Sequence, residues 1–287
     1  MARLGEVVRS AAHTLAQAGV ASADHDARAL AAHVLGVPRL PFILDELPAG
    51  FEDELTRLVT RRAGREPLQH ILGEAAFRYL TVTVEPGVFV PRPETEVVAQ
   101  VAIDEAARLA NRGISPVVVD LCCGTGAVAL SVATEVPGAR VIAVDASEAA
   151  VDLTLRNAAR VGAQDVEVMC IDVRDPALLG DSTGVVDVVV SNPPYIPPDA
   201  IPLDPEVRDY DPGLALYGGG LDGLEIPTAV IVAAARLLRP GGLLVMEHAD
   251  VQGEAARIAA EATGAFNNVR TLPDLTGRER MLVASRR

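Results

Sequence analysis

Between residues 117 and 247, short and almost wholly apolar segments alternate with segments of helical periodicity, and this alternation limits the possible folds more than any other feature. Apolar runs without polar alternation are typical of strands buried on both faces, and a helix between successive strands makes those strands parallel. The pattern therefore predicts an α/β fold, a doubly wound parallel sheet. The predicted strands are 117–121, 140–145, 166–171, 185–191 and 243–247, followed by β-like runs at 269–272 and 280–284. The predicted helices are 128–136, 148–161, 224–238 and one that begins near 253.

The chain before this sheet has other periodicities. In residues 1–75, apolar side chains recur at helical spacing and stop at glycines, which predicts a small helical domain. Residues 76–93 alternate around a turn at Glu85–Gly87 and predict a β-hairpin connector. A helix over 94–111 follows a Pro-Arg-Pro sequence, because proline at a helix start costs no hydrogen bond. We therefore place the second domain at 94–287.

Charge and cysteine usage exclude several classes of partner. A formal charge of -14 opposes general binding to a phosphate backbone, so no stable nucleic acid partner is expected. The 3 cysteines form no disulfide framework or paired CxxC motif, and the scattered histidines have no metal-ligand spacing. No apolar run approaches the ~20 residues of a membrane span. We therefore expect a cytoplasmic monomer without a metal and without membrane association.

A basic cluster interrupts this acidic chain. It consists of Arg57, Arg61, Arg62 and Arg65. At helical spacing such a cluster is interpreted as a solvated helix face, with a contact to a partner as the alternative.

A glycine-rich turn follows the first strand of the sheet. Residues 120–126 are Asp-Leu-Cys-Cys-Gly-Thr-Gly and lead into a helix, so Gly124 and Gly126 lie where the backbone turns tightly beside a ligand. Asp145 ends the next strand, where a carboxylate can accept both hydroxyls of a ribose. The pattern predicts a nucleoside cofactor, either a dinucleotide or S-adenosylmethionine. Asp120 favours S-adenosylmethionine, because a carboxylate would repel a pyrophosphate but attract an ammonium group.

The fourth strand leads into Asn192-Pro193-Pro194-Tyr195 at the same edge of the sheet. The prolines fix φ and remove N–H donors, so the loop presents carbonyls and the Asn192 side chain. A planar –NH2 group can donate to the Asn192 side-chain oxygen and to the Pro193 carbonyl, while Tyr195 covers its π system. Such an acceptor site suits an amide or an aromatic amine whose nitrogen attacks a sulfonium methyl group in line.

These residues resemble the Asn-Pro-Pro-Tyr class of S-adenosylmethionine-dependent N-methyltransferases, which modify either exocyclic amines of DNA bases or the side-chain amide of glutamine. Essentially the whole chain resembles one family of that class, the protein-(glutamine-N5) methyltransferases of peptide chain release factors, the PrmC or HemK family. The matching segments are 89–96, 120–126, 192–196, 206–216 and 221–224.

The resemblance implies a Rossmann-like class I methyltransferase domain, a β-hairpin connector and an N-terminal substrate-recognition domain. It implies S-adenosylmethionine as the cofactor, S-adenosylhomocysteine as the product and the glutamine of a Gly-Gly-Gln (GGQ) loop in class 1 release factors as the substrate. It assigns catalysis and glutamine binding to Asn192, Pro193, Pro194 and Tyr195, with Arg92, Pro93 and Glu94 near the mouth of the site. It assigns cofactor binding to Asp120, Cys122, Cys123, Gly124, Thr125, Gly126, Asp145, Asp172, Val173 and Asn192.

This chain departs from the family pattern at several positions. Cys122 replaces a usual glycine, but it is small enough for the turn if its φ is negative, so we expect cofactor binding to survive. Val173 replaces a frequent aromatic residue beside the adenine, and Tyr217 replaces a usual acidic residue. Asp172 can accept the adenine amino group or cap the turn that follows it. The segment 197–223 is a lid, a docking loop or an ordinary connection.

Other functions remain as alternatives. An N6-adenine DNA methyltransferase would share the Asn192–Tyr195 loop, but the acidic charge and the absence of a basic target-recognition domain disfavour it. A nicotinamide-dependent oxidoreductase would leave that loop without a role. A catalytically inactive adaptor would bind a release factor without transferring a methyl group.

Overall fold

A computed structural model describes residues 2–41 and 46–287. The helices are α1 (Ala2–Gln17), α2 (Ala23–Val34), α3 (Phe51–Ala63), α4 (Leu68–Leu72), α5 (Thr95–Ala110), α6 (Ala127–Glu135), α7 (Glu148–Val161), α8 (Pro205–Tyr210), α9 (Gly213–Leu216), α10 (Glu225–Leu237) and α11 (Gly253–Ala262). The strands are β1 (Glu74–Phe77), β2 (Leu80–Thr83), β3 (Val117–Leu121), β4 (Arg140–Asp145), β5 (Glu167–Cys170), β6 (Val186–Ser191), β7 (Leu238–Glu247), β8 (Phe266–Pro273) and β9 (Glu279–Arg286). The chain divides into two compact units, one of residues 1–74 and 202–210 and the other of residues 75–201 and 211–287.

The first unit is helical. Its helices pack around fully buried leucines that recur at helical spacing, among them Leu15, Leu30, Leu55 and Leu58. Burying such side chains stabilises a unit by about 1.5–3 kcal/mol each, which explains why short helices without strong end caps persist here. The unit also includes residues 202–210, a segment that the sequence assigned to the second domain.

Two arginines of the basic cluster hold that segment. Arg62 is 6% exposed, and its guanidinium donates to Asp26 at 2.7 Å and to Glu206 at 2.8 Å. Arg65 donates to the other oxygen of Glu206 at 2.5 Å. The interpretation of the cluster as a solvated face is therefore wrong for Arg62 and Arg65. Their acidic partner is distant in sequence, so helical spacing alone could not reveal it.

The second unit contains the predicted sheet. Its strand order is β5-β4-β3-β6-β7-β9-β8, with β5, β4, β3, β6 and β7 parallel and β9 antiparallel to both of its neighbours. Alternate residues of β3 face the two hydrophobic cores on opposite sides of the sheet. Val118 packs on the side of α5 and α6, and Val119 packs on the side of α10 and α11. The predicted doubly wound α/β fold is confirmed. The strand order reverses between β3 and β6, where ligands bind in such sheets.

The hairpin differs from its prediction. β1 and β2 pair across a turn at Arg78 and Tyr79, where Arg78 adopts a φ of +52°. The predicted turn at Glu85–Gly87 exists, with the Val88 N–H donating to the Glu85 carbonyl at 3.3 Å, but it follows the hairpin. A Pro-Gly pair indicates that a turn forms without indicating which strands it joins. The positive φ at Arg78 lies in a region that glycine favours. Because Arg78 and Tyr79 are not typical turn residues, the sequence did not mark the true turn.

The strand β7 begins earlier than predicted. The sequence predicts this strand over 243–247, but the structure also includes Pro240–Gly242 in β7. The pairing of β7 with β6 is irregular there, since Val186 pairs with Leu238 while Val188 pairs with Leu243. The Pro-Gly-Gly sequence is thus accommodated as an irregularity within the strand, as is usual for such residues in sheets.

Candidate active site

The carboxyl ends of the central strands lie side by side. Leu121 of β3 pairs with Val144 of β4 and with Ser191 of β6, and Ser191 pairs with Met246 of β7. The glycine turn, the Asn192 loop and the end of β7 therefore meet at one edge of the sheet. The Ser191 hydroxyl donates to the Leu121 carbonyl at 2.6 Å and joins the first two of these segments.

Two glycines in the turn after β3 have different surroundings. Gly126 has a φ of +79°, and a methyl group there would lie 2.7 Å from Cγ2 of Thr154. Gly124 has a φ of +56°, but a methyl group there would meet no protein atom within 4 Å. Thr125 between them is buried, and its carbonyl accepts from Asn157 at 3.0 Å. Packing requires glycine at 126, whereas Gly124 borders open space that a ligand can fill.

Cys122 does not have the negative φ on which its fit to the turn was conditional. Its φ is +62°, in the left-handed region. An L-residue other than glycine is disfavoured there by about 1–2 kcal/mol. Burial raises the pKa of the Cys122 and Cys123 thiols, so both are protonated at neutral pH. The Cys123 sulfur lies 3.7 Å from the Thr154 hydroxyl, and both cysteines contribute packing.

Asp120 lies behind the turn. Its carboxyl group is 1% exposed and accepts from the Ala129 N–H of α6 at 3.0 Å. Burial raises the pKa of this carboxyl to about 8, with the nearby Asp145 charge adding to the shift. Asp120 is therefore bonded to the first turn of α6, and its contact with a cofactor ammonium group stays a prediction.

Asp145 supports the turn from β4. One carboxylate oxygen accepts from the Gly124 N–H and the other from the Ser147 N–H, each at 2.9 Å. Burial raises the pKa of Asp145, while these backbone donors oppose the increase. A carboxylate has about four lone-pair sites, so the residue can hold the turn and still accept from a ribose.

Asp172 and Val173 follow β5 and have different environments. Asp172 accepts from the Arg174 backbone N–H at 2.8 Å and pairs with the Arg174 guanidinium at 2.7 Å. Arg174 also reaches Glu225 at 3.2 Å. The hydrogen bond from Arg174 lowers the pKa of Asp172. Val173 is 9% exposed and packs in the core on the α10 side. Asp172 thus has the turn-capping contact, and its role toward adenine stays a prediction.

The Asn192 loop is supported by a chain of hydrogen bonds. The Asn192 side-chain NH2 donates to the Thr95 hydroxyl at 3.0 Å, and Thr95 donates to Glu247 at 2.8 Å. The Tyr195 hydroxyl donates to the other oxygen of Glu247 at 3.3 Å. Pro193 and Pro194 are buried, while Asn192 and Tyr195 are half-buried.

A second set of contacts holds the backbone of this loop. Gln252 donates from its side-chain NH2 to the Tyr195 carbonyl at 2.8 Å and to the Asp222 carbonyl at 3.0 Å. A methyl group at Gly223 would lie 2.3 Å from the backbone carbonyl oxygen of Tyr195, and one at Gly218 would lie 2.7 Å from the backbone carbonyl oxygen of Pro194. Within the segment 197–223, residues 211–223 therefore include direct supports of the Asn192 loop.

The three residues that were expected near the mouth of the site, Arg92, Pro93 and Glu94, lie directly before α5. Arg92 pairs with Asp211, and its guanidinium lies 5.0 Å from the centre of the Phe89 ring. Pro93 and Glu94 are exposed, and Glu94 stands at the N-terminal cap of α5, directly before Thr95.

Residues 2–41 and 46–287 contain neither a metal-binding cluster nor a helix suited to cross a membrane. No group of His, Cys, Asp and Glu side chains in that part of the chain is arranged to hold a metal ion. None of its helices has both the length and the hydropathy that crossing a membrane requires.

Comparisons with known proteins match the chain end to end. Residues 6–73 match the PrmC N-terminal domain, and residues 80–201 match the methyltransferase small domain. A release factor glutamine methyltransferase of Mycolicibacterium smegmatis is 48% identical over 100% of this chain and 99% of its own. Those of Streptomyces coelicolor (47%; 96% of each chain) and Bifidobacterium longum (44%; 97% of this chain, 98% of its own) are similarly related. The chain belongs to the release factor glutamine methyltransferase family. The family expected from the motifs is confirmed, and the DNA methyltransferase alternative is not favoured.

Sequence patterns did not reveal the residues behind the Asn192 loop. Thr95 and Glu247 contact Asn192 and Tyr195 through side chains, and Gln252 contacts the loop backbone. Glu247 carried a usable signal, because it is a polar residue at the carboxyl end of a buried strand. The next residue, His248, is fully buried, and its Nδ1 lies 2.8 Å from the Ala249 carbonyl.

Proposed function

We propose that this protein transfers a methyl group from S-adenosylmethionine to the side-chain amide nitrogen of the glutamine in the GGQ loop of class 1 release factors. The observation that carries the proposal is the Asn192–Tyr195 loop, which stands beside a glycine turn with open space at Gly124. Its relatives across the whole chain are named for glutamine methylation of release factors.

The residues of the turn fit the proposed cofactor. Gly124 borders space that accepts a ligand close to the backbone, and Asp145 has free lone pairs for ribose hydroxyls. Cys122, Cys123, Thr125 and Gly126 shape the turn, and Asp172 and Val173 follow the strand next to Asp145 in the sheet. When bound, S-adenosylmethionine supplies an electrophilic methyl group on a sulfonium centre.

The Asn192 loop supplies the acceptors that an amide requires. The Asn192 NH2 group is committed to Thr95, so its Oδ1 is available to a substrate –NH2, together with the Pro193 carbonyl. An amide nitrogen is a poor nucleophile because its lone pair is delocalised. Two acceptors stabilise the positive charge that develops on nitrogen during attack, and Tyr195 covers the π system. The loop thereby also fixes the nitrogen for in-line attack.

The remaining expectations depend on this assignment. We expect the enzyme to act as a monomer. The net charge of -14 supports a protein substrate over a stable nucleic acid partner. We assign recognition of the release factor body to the helical unit, which matches the PrmC N-terminal domain, and Arg92 and Glu94 to the mouth of the site. A substrate that acts in translation supports action in the cytoplasm, away from membranes.

The test is methyl transfer from labelled S-adenosylmethionine to a class 1 release factor. The matched controls are the same factor with its GGQ glutamine changed to alanine, and duplex DNA. We expect label on the intact factor alone. Label on DNA would support the adenine methyltransferase alternative, and binding of the factor without label would support an inactive adaptor. Label on the alanine variant would refute the glutamine assignment.

A further inference from the structure

Four buried or half-buried polar side chains, from α5, β7 and the Asn192 loop, form one continuous chain of hydrogen bonds at the proposed substrate site. Thr95 is the first residue of α5 and is 4% exposed, and Glu247 is the last residue of β7 and is 2% exposed. Thr95 lies between Asn192 and Glu247, at 3.0 Å and 2.8 Å respectively. The other Glu247 oxygen accepts from the Tyr195 hydroxyl. Both side chains of the Asn192 loop that face a substrate amide therefore lead back to one carboxylate.

This chain of hydrogen bonds has a direction. An ionised carboxylate only accepts, so the single Thr95 hydroxyl proton is committed to Glu247. Thr95 then offers only lone pairs to Asn192, and Asn192 must present its NH2 group to Thr95. Its Oδ1 is consequently turned away from Thr95. A flipped Asn192 would place its oxygen against the Thr95 lone pairs and present donors to the donors of a substrate –NH2, which is unfavourable on both sides.

We propose that Thr95 and Glu247 are positioning residues that set which way the Asn192 amide faces, so that the reacting glutamine amide meets an acceptor. This inference rests on the proposed function of Asn192. Glu247 acts through Thr95 and Tyr195, and neither Thr95 nor Glu247 is required to touch the methyl group or the cofactor.

The ionisation of Glu247 sets the direction of the chain. Burial raises the pKa of this carboxyl to about 7, opposed by the hydrogen bonds from Thr95 and Tyr195 and by the Arg280 charge on β9. Glu94, at the cap of α5, adds to the increase. Above this pKa the ionised carboxylate fixes the direction. Below it, a protonated Glu247 can donate to Thr95, and the direction of the whole chain can reverse. Methyl transfer should therefore increase as the pH rises through the Glu247 ionisation.

The kinetic test compares full-length Thr95→Val, Thr95→Ser and Glu247→Gln with the unaltered protein, using S-adenosylmethionine and a class 1 release factor. Thr95→Val keeps the shape and removes the hydroxyl, and we expect kcat to fall by about 100-fold, as misplacement of a reacting group does. Thr95→Ser retains the hydroxyl and should keep most of kcat. Glu247→Gln should lower kcat and abolish its dependence on pH near neutrality. Cofactor affinity by calorimetry should not change in any variant.

Thr134→Val is the matched control. Its hydroxyl donates to the Leu130 carbonyl within α6, so the variant removes a similar group far from the Asn192 loop in sequence, and kcat should be unchanged. Normal kcat in Thr95→Val with normal cofactor binding would overturn the positioning role. Equal losses in Thr95→Ser and Thr95→Val would also overturn it, since a merely steric role does not distinguish the hydroxyl.

A second readout does not depend on turnover. In protein labelled with 15N-asparagine, the Asn192 side-chain NH2 resonance is assigned by its loss in Asn192→Ala. We expect this resonance to titrate near neutral pH in the unaltered protein and to stop titrating in Glu247→Gln. An Asn192 signal that does not change with pH would overturn the positioning role of Thr95 and Glu247, even if release factors are methylated. If no release factor is methylated but the signal titrates, the proposed substrate is wrong and the positioning role of Thr95 and Glu247 is still supported.

Discussion

Replacing Gly126 by alanine should destabilise the methyltransferase unit much more than the same change at Gly124. Both residues have positive φ, so alanine at either position costs about 1–2 kcal/mol in backbone conformation. Alanine also restricts the unfolded chain, which offsets about 0.4–1 kcal/mol of that cost. The net conformational penalty is therefore roughly 1 kcal/mol at each position.

Packing separates the two positions. A methyl group at 126 would lie 2.7 Å from Cγ2 and 3.0 Å from Oγ1 of Thr154, whereas one at 124 meets nothing within 4 Å. Overpacking of this kind costs about 1–3 kcal/mol, so Gly126→Ala should lose about 2–4 kcal/mol in total. For a unit of this size, each kcal/mol corresponds to about 2–4 °C in Tm.

The assay is calorimetric unfolding together with S-adenosylmethionine titration. Gly126→Ala should lower Tm about two to four times as much as Gly124→Ala. Gly124→Ala should lose cofactor affinity because its methyl group enters the open space. Thr154→Ser removes Cγ2 and keeps the hydroxyl that donates to the Gly124 carbonyl, so it should recover part of the Gly126→Ala loss in a double-mutant cycle. Equal Tm losses at 124 and 126, or no recovery by Thr154→Ser, would refute the packing argument.

Three further variants test other parts of the molecule. Asn192→Ala should remove most methyl transfer while the Tm stays within a few degrees, and turnover at the unaltered rate would refute the acceptor site. Asp145→Ala should weaken S-adenosylmethionine binding in a calorimetric titration, and unchanged affinity would remove Asp145 from the cofactor site. Burial opposes ionisation of Glu206, but hydrogen bonds from Arg65 and Arg62 outweigh it and lower the pKa to about 2. A lowered carboxyl pKa adds stability above the unfolded value of 4.5 that is lost as pH falls toward 2. Glu206→Gln should therefore lower the denaturation midpoint of the helical unit at pH 7 and flatten its decline in acid. Glu54→Gln is the control, because its side chain is 45% exposed in a surface ion pair with Arg57, and it should change neither.

Local patterns determined the architecture of the sheet and the position of its ligand edge. The apolar runs at β3, β4 and β6 are buried on both faces, so their composition alone marks them as central parallel strands. The same reasoning places the glycine turn and Asn192 at one edge, because carboxyl ends of parallel strands coincide. These features follow from residue periodicity and backbone geometry within a few residues, which a single sequence contains.

Tertiary structure alone decided which distant residues complete each site. Glu206 joins Arg62 and Arg65 of the helical unit, and Thr95 joins Asn192 to Glu247, across separations that leave no local spacing to detect. The φ of Cys122 was also decided at this level, because the surrounding structure holds the turn in a left-handed conformation that cysteine does not prefer. Side-chain hydrogen bonds between remote segments form only after the sheet has brought strand ends together. The sequence therefore indicates the edge of the sheet where the chemistry occurs, and packing decides how the Asn192 amide is held there.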